Sequence, residues 1–121
     1  MITAAIQGKL QAIIPNTFPI VGDEEIECPW CYHKETGTPI RLKEGLKGYT
    51  YDCEVAIIAA LPDEVETYAA QIITGVESLA GTITSGTTIN TVTFEGDEPD
   101  FDYEQKFYTN ILRFIIETAN R

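Results

Sequence analysis

Residues 28–33 read CPWCYH, and a third cysteine stands at position 53. Cys28, Cys31, His33 and Cys53 are the residue types of a tetrahedral zinc site, and Cys-x-x-Cys is the spacing of a zinc knuckle. Such a site needs four side chains that converge on one point. The residues around the motif predict an extended strand instead, with Trp30, Tyr32 and Lys34 on one face and Cys31, His33 and Glu35 on the other. Residues three apart on a strand point to opposite faces, so a spacing that works in a tight turn fails here. A thioredoxin-like centre needs the motif at the start of a helix, and Tyr-His-Lys-Glu-Thr-Gly is a poor helix. Haem attachment needs histidine at position 32, which is tyrosine. The favoured reading is free thiols in a reduced hairpin. A small zinc-binding interaction module using Cys28, Cys31, His33 and Cys53 is the alternative.

No other residue set makes a catalytic constellation. His33 is the only histidine, and no serine stands in a nucleophile-elbow context. GLKGYT at 45–50 lacks the Walker spacing. The run EGDEPDFDYE offers Glu95, Asp97, Glu98, Asp100, Asp102 and Glu104, without the residue order of a calcium loop. It reads as a solvated acidic loop. The expectation is a protein that is not an enzyme and carries no cofactor.

The bulk numbers agree with a structural part. The chain has 121 residues, 44% hydrophobic and 22% charged, which suits one domain spanning 1–121. No apolar run approaches the roughly 18 residues of a membrane helix. The N-terminus lacks a charged region followed by an apolar core, so no signal peptide and no membrane partner are expected. Synthesis in the cytoplasm follows. The net charge of −11 argues against direct nucleic-acid binding, which needs lysine and arginine against phosphate. It suits a surface that keeps nucleic acid off or attracts a basic partner. An acidic nucleic-acid mimic that inhibits a basic protein is therefore a further alternative.

The elements that position these residues follow from periodicity. Ile2, Ala5, Ile6, Leu10, Ile13 and Ile14 recur at three- and four-residue steps and predict a helix that Pro15 ends. Residues 15–27 read as a loop or short strand with an acidic patch at Asp23, Glu24, Glu25 and Glu27. TGTPIRLKEGLKG reads as a connection. YTYDCEVAII alternates as a strand. From Pro62, helical spacing links Val65, Tyr68, Ala69, Ile72, Ile73, Val76 and Leu79, and Gly81 is the expected stop. Residues 82–95 are rich in Thr, Ile and Val, as in strands, and GDEPDFD reads as a loop. The segment 105–118 suits either class by spacing, and its β-branched and aromatic content favours strand.

The expected order is α-β-β-α-β-β, an α+β fold in which an antiparallel sheet of about four strands carries two helices on one face. Matching apolar faces in the first strand pair puts Trp30, Tyr32, Tyr51, Cys53 and Val55 on the buried side, with Cys28. Cys31 and His33 then face outward near Asp52 and Glu54. A one-residue slip would bring Cys31 opposite Cys53.

Read together, residues 1–80 resemble the small tail-completion, or tail-terminator, proteins of long-tailed phages and prophages. The likeness lies in the N-terminal helix, the acidic VGDEEI, the strand CPWCYHKE, the connection LKEGLKG, the strand YTYDCEVAII and the helix DEVETYAAQIITGVESLAG. The cysteine pair and the acidic loop are not features of that pattern. The resemblance implies a non-catalytic subunit of the virion tail. It implies a homo-oligomeric ring, typically of six, that ends growth of the tail tube and joins it to the head connector. The partners would be other copies of the chain, the tail-tube protein and the head-connector protein. Asp97, Glu98, Asp100 and Asp102 are then candidates for an acidic rim or lumen past which DNA travels, and Thr50, Ala56 and Ile58 leave the second sheet face apolar enough for a subunit contact.

Overall fold

The computed structural model describes residues 2–15, 17–18, 29–43, 45–84, 86–104 and 106–120. Cys28 and the acids at 23–27 lie outside the described residues.

Helix α1, Thr3–Gln11, forms where Ile6 and Leu10 recur at a helical step, and both are buried. Strand β1 is the two residues Thr17–Phe18. The strands β2, Trp30–Leu42, and β3, Gly45–Ala59, form a long hairpin. Helix α2, Pro62–Glu77, starts with proline in its first turn and with Asp63 and Glu64 at its positive end. It buries Val65, Ala69, Ile72 and Val76. Gly81, at φ +86°, turns the chain back, and its N–H donates to the Ile89 carbonyl at 2.7 Å. After the two-residue β4, Ile83–Thr84, a second long hairpin joins β5, Thr87–Asp102, to β6, Phe107–Asn120.

The sheet order is β1-β2-β3-β6-β5-β4. The two hairpins meet in the middle, where β3 and β6 pair antiparallel with Val55 opposite Leu112. Both helices cover one face. Ile2, Ile6, Leu10 and Ile14 from the first helical segment and Ile72, Val76 and Leu79 from the second meet Cys31, Val55, Ile57, Ile89, Leu112, Phe114 and Ile116 of the sheet. Burying one such Leu, Ile or Phe side chain contributes about 1.5–3 kcal/mol.

The α+β class and the cover of two helices hold, and the segment expected over 105–118 is strand from Phe107 onward, as its composition favours. The strand count and order do not hold. Two-residue strands at either edge extend the sheet to six, and β1 runs parallel to β2. Two expected loops are strand. TGTPIRLKEGLKG forms most of the β2–β3 arm, with a bulge between Ile40 and Arg41. GDEPDFD continues β5, where Gly96 takes φ +136° at a bulge opposite Arg113. Turn-forming and acidic residues mark loops because they leave backbone groups to water. Here β3 and β6 supply the ladder, and an outer strand tolerates the prolines and charges.

Tyr51, Cys53 and Val55 of β3 face the core as expected, but the faces of β2 are the reverse of the expectation. Trp30 to Glu35 is extended, but Cys31 pairs with Ile57, His33 with Val55 and Glu35 with Cys53. Cys31 and His33 therefore share the helix-covered face with Tyr51, Cys53 and Val55, while Trp30 and Tyr32 lie on the other face with Ala56 and Ile58. Pairing Trp30 and Tyr32 with the core treats aromatic residues as its strongest marker. The helices settle burial instead, and they pack on Val55 and Ile57.

Candidate functional site

Among the described residues, Cys31, His33, Glu35 and Cys53 are joined by Gln7 and Thr17 into a buried chain of polar contacts. Gln7 on α1 donates through Nε2 to the Thr17 carbonyl at 2.8 Å. That bond fixes its amide, leaving Oε1 to accept from His33 Nε2–H at 2.6 Å. His33 Nδ1 lies 2.7 Å from Glu35 Oε2, and a proton sits between them whichever atom holds it. The Cys53 thiol approaches the same carboxylate oxygen at 3.8 Å. Thr17 also donates to the Ile14 carbonyl and sits 3.0 Å from Cys31 Sγ. His33 and Glu35 side chains are 0% and 2% exposed, so both ring nitrogens of His33 and Oε2 of Glu35 depend on these partners.

The geometry separates two of the candidate zinc ligands, Cys31 and Cys53, while Cys28 lies outside the described residues. Cys31 lies opposite Ile57, four residues along β3 from Cys53, or about 13 Å at the rise of a strand. A zinc ion holds sulfur at about 2.3 Å, so these two thiols cannot share one without refolding the hairpin. Among the described residues no three His, Cys, Asp or Glu side chains gather in a metal-binding group. Both thiols are free and buried. Burial pushes the Cys31 thiol up to about 11, against a smaller opposing pull from Thr17. Burial pushes Cys53 up further, and the Glu35 carboxylate adds to it. Neither is a thiolate at neutral pH, so neither is poised as a nucleophile.

The helix-free face carries the surface features. At one end a cleft of about 240 Å³ is lined by Trp30, Tyr32, Ala56, Ile58, Phe107, Thr109 and Ile111, with Asp102 at its edge. Ala56 and Ile58, expected on this face, form its floor and are buried, at 4% and 7% exposure. The other end is charged. Arg113 lies 3.4 Å from Glu54 and 3.6 Å from Glu98, both exposed pairs of small energetic weight.

Asp97, Glu98, Asp100 and Asp102 are all exposed on the outer strand β5. Register places Glu98, Asp100 and Asp102 opposite Ile111, Thr109 and Phe107 on the helix-free face, and Asp97 on the helix side. Asp97 accepts from Asn110 Nδ2 at 3.1 Å. This orients the amide and leaves Asn110 Oδ1 buried without a partner among the described residues. Sequence reasoning missed Gln7 and Thr17. The signal was weak: a glutamine on the apolar side of a short helix, one turn from Ile6 and Leu10.

No known protein family matches the sequence, and no curated protein does. The fold has a solved counterpart. A chain in the structure described as "Virion of native gene transfer agent (GTA) particle" superposes with a TM-score of 0.76 at 15% identity, covering 98% of this chain and 94% of that one. At that identity the likeness is one of fold.

Proposed function

We propose that this chain is a structural virion protein of the phage type, a tail-terminator-like subunit that forms a ring on the end of a tail tube. The observation that carries the reading is the end-to-end likeness of fold to a chain of a gene transfer agent virion. The sequence pattern of residues 1–80 points the same way independently. The aromatic cleft on the helix-free face supports it further. Trp30, Tyr32 and Phe107 there are only half-buried in the single chain, as residues awaiting a subunit or tube contact would be. The net charge of −11 suits a ring through which DNA passes without adhering.

The test is to add the purified chain to its cognate tail-tube protein during tube assembly and examine the product by negative-stain electron microscopy. The expected result is tubes of limited length with a ring at one end. Tubes of unchanged length that bind none of the chain would overturn the reading.

A further inference from the structure

We propose that the two outer edges of the sheet bind each other between copies of this chain, the basic β2–β3 arm of one molecule lying along the acidic β5 edge of the next. The contact rests on the ring reading above and names the surface that would close the ring.

Both long outer strands run past their short neighbours. β1 pairs with β2 only at Cys31 and Tyr32, and β4 pairs with β5 only at Thr87 and Thr88. No described strand pairs with the outer side of Thr36–Leu42 or of Thr91–Phe101. An open edge is a template for another strand, and charge and proline along it suppress indiscriminate pairing, so that a partner must match the charge. Both devices are present here, with Pro39 on β2 and Pro99 on β5.

The charges differ in sign. Lys34, Arg41, Lys43 and Lys47 are exposed on the β2–β3 arm, four of the chain's eight basic residues. Among the described exposed residues from 34 to 47 there is no acid. The β5 edge exposes Glu95, Asp97, Glu98, Asp100 and Asp102. Two β5 edges side by side set acid against acid, and two β2 edges set base against base. Only β2 against β5 matches charge with countercharge.

The placement makes the contact head-to-tail. β2 and β5 lie toward opposite ends of the strand order. The β2–β3 turn sits at the end of the sheet where Thr50 pairs with Glu117, and the β5–β6 turn at the other end, beyond Ala59 and Tyr108. One molecule cannot bring its own two patches together, and a two-fold dimer through either would repel. A contact between different patches closes into a ring when the rotation allows. Asp97, Glu98, Asp100 and Asp102 then serve a subunit contact in place of the rim or lumen expected from sequence.

Two surface variants test this. One carries Lys34→Glu, Arg41→Glu and Lys43→Glu; the other carries Glu95→Lys, Glu98→Lys and Asp100→Lys. Thermal unfolding confirms that each still folds. Sedimentation velocity over a concentration series at low salt should show the unmodified chain associating, and association should weaken as salt rises. Each variant alone should associate at least about tenfold more weakly. An equimolar mixture of the two, or one chain carrying all six changes, should restore association. Variants that associate like the unmodified chain, or a mixture and a six-fold variant no better than either alone, would overturn the contact. An unmodified chain that stays monomeric throughout would do so too. Rings still seen by electron microscopy in both variants would place the ring contact elsewhere and leave the ring reading intact. Failure of the tube assay would end the ring reading itself.

Discussion

His33 and Glu35 stand two residues apart on β2 and meet on the helix-covered face, with Nδ1 2.7 Å from Oε2 and neither side chain open to water. Alternation along a strand puts residues i and i+2 on one side, so the pair is local in sequence. Its burial is not local. It requires Gln7 of α1 above and Cys53 of β3 beside it. Removing one member leaves the other desolvated and unpaired. We expect Glu35→Ala to destabilise the fold by about 3 kcal/mol or more, as breaking a buried pair does. Glu35→Gln should cost less, because its amide N–H can donate to the unprotonated His33 Nδ1 while His33 Nε2–H still donates to Gln7. Urea unfolding at neutral pH measures both, and equal losses would contradict the assignment.

The two described thiols should respond to pH together. An unfolded cysteine ionises near pH 8.5, whereas burial raises Cys31 to about 11 and Cys53 further. Their contribution is fully present below about pH 8.5. It is lost as pH rises, because the unfolded chain releases protons that the folded chain keeps. The slope is about 1.4 kcal/mol per pH unit for each thiol. Unfolding free energy measured from pH 8.5 to 10.5 should fall less steeply in Cys31→Ser than in the unmodified chain. In a Cys28→Ser background, the remaining thiols should react with a disulfide reagent only as fast as the protein opens.

Gly48 should tolerate no side chain. A Cβ there would lie 2.0 Å from the Thr118 carbonyl oxygen, a backbone atom that cannot swing aside. The Thr118 hydroxyl is at the same crossing, accepting from Tyr49 N–H at 3.1 Å and donating to the Tyr49 carbonyl at 3.2 Å. Gly48→Ala must push β3 from β6 at that point. The expected loss is about 2–3 kcal/mol, seen as a lower melting temperature. Gly8→Ala, where a Cβ meets nothing within 4 Å, should be stabilising in the same assay.

Ile111 on the cleft wall separates assembly from folding. It is half-buried on the helix-free face, opposite Ala56 and Glu98. Ile111→Asp should lower monomer stability by about 1–2 kcal/mol, because the site stays partly wet. It should abolish capping of tail tubes if the cleft is a contact surface. Circular dichroism with the tube assay distinguishes this from unfolding.

Much of the architecture was legible along the chain, because it rests on local periodicity. The step from Ile6 to Leu10 and the stripe from Val65 to Val76 are helix whatever surrounds them. Tyr51, Cys53, Val55 and Ile57 alternate as strand in the same way. Leu112, Phe114 and Ile116 share a face that shows once the strand is granted.

What pattern could not supply was anything set by a distant partner. Gly37 to Arg41 and Gly96 to Asp102 look like loops in isolation. They are strand because β3 and β6 lie beside them and take up their backbone hydrogen bonds. The face of β2 was out of reach for the same reason. Alternation tells which residues travel together, but a period of two has no sign. Only the seating of α1 and α2 sends Cys31 and His33 inward and Trp30 and Tyr32 outward. The fate of the CPWCYH motif follows from that: register spreads Cys31 and Cys53 along the hairpin, and the imidazole is occupied by a glutamine twenty-six residues earlier in the chain.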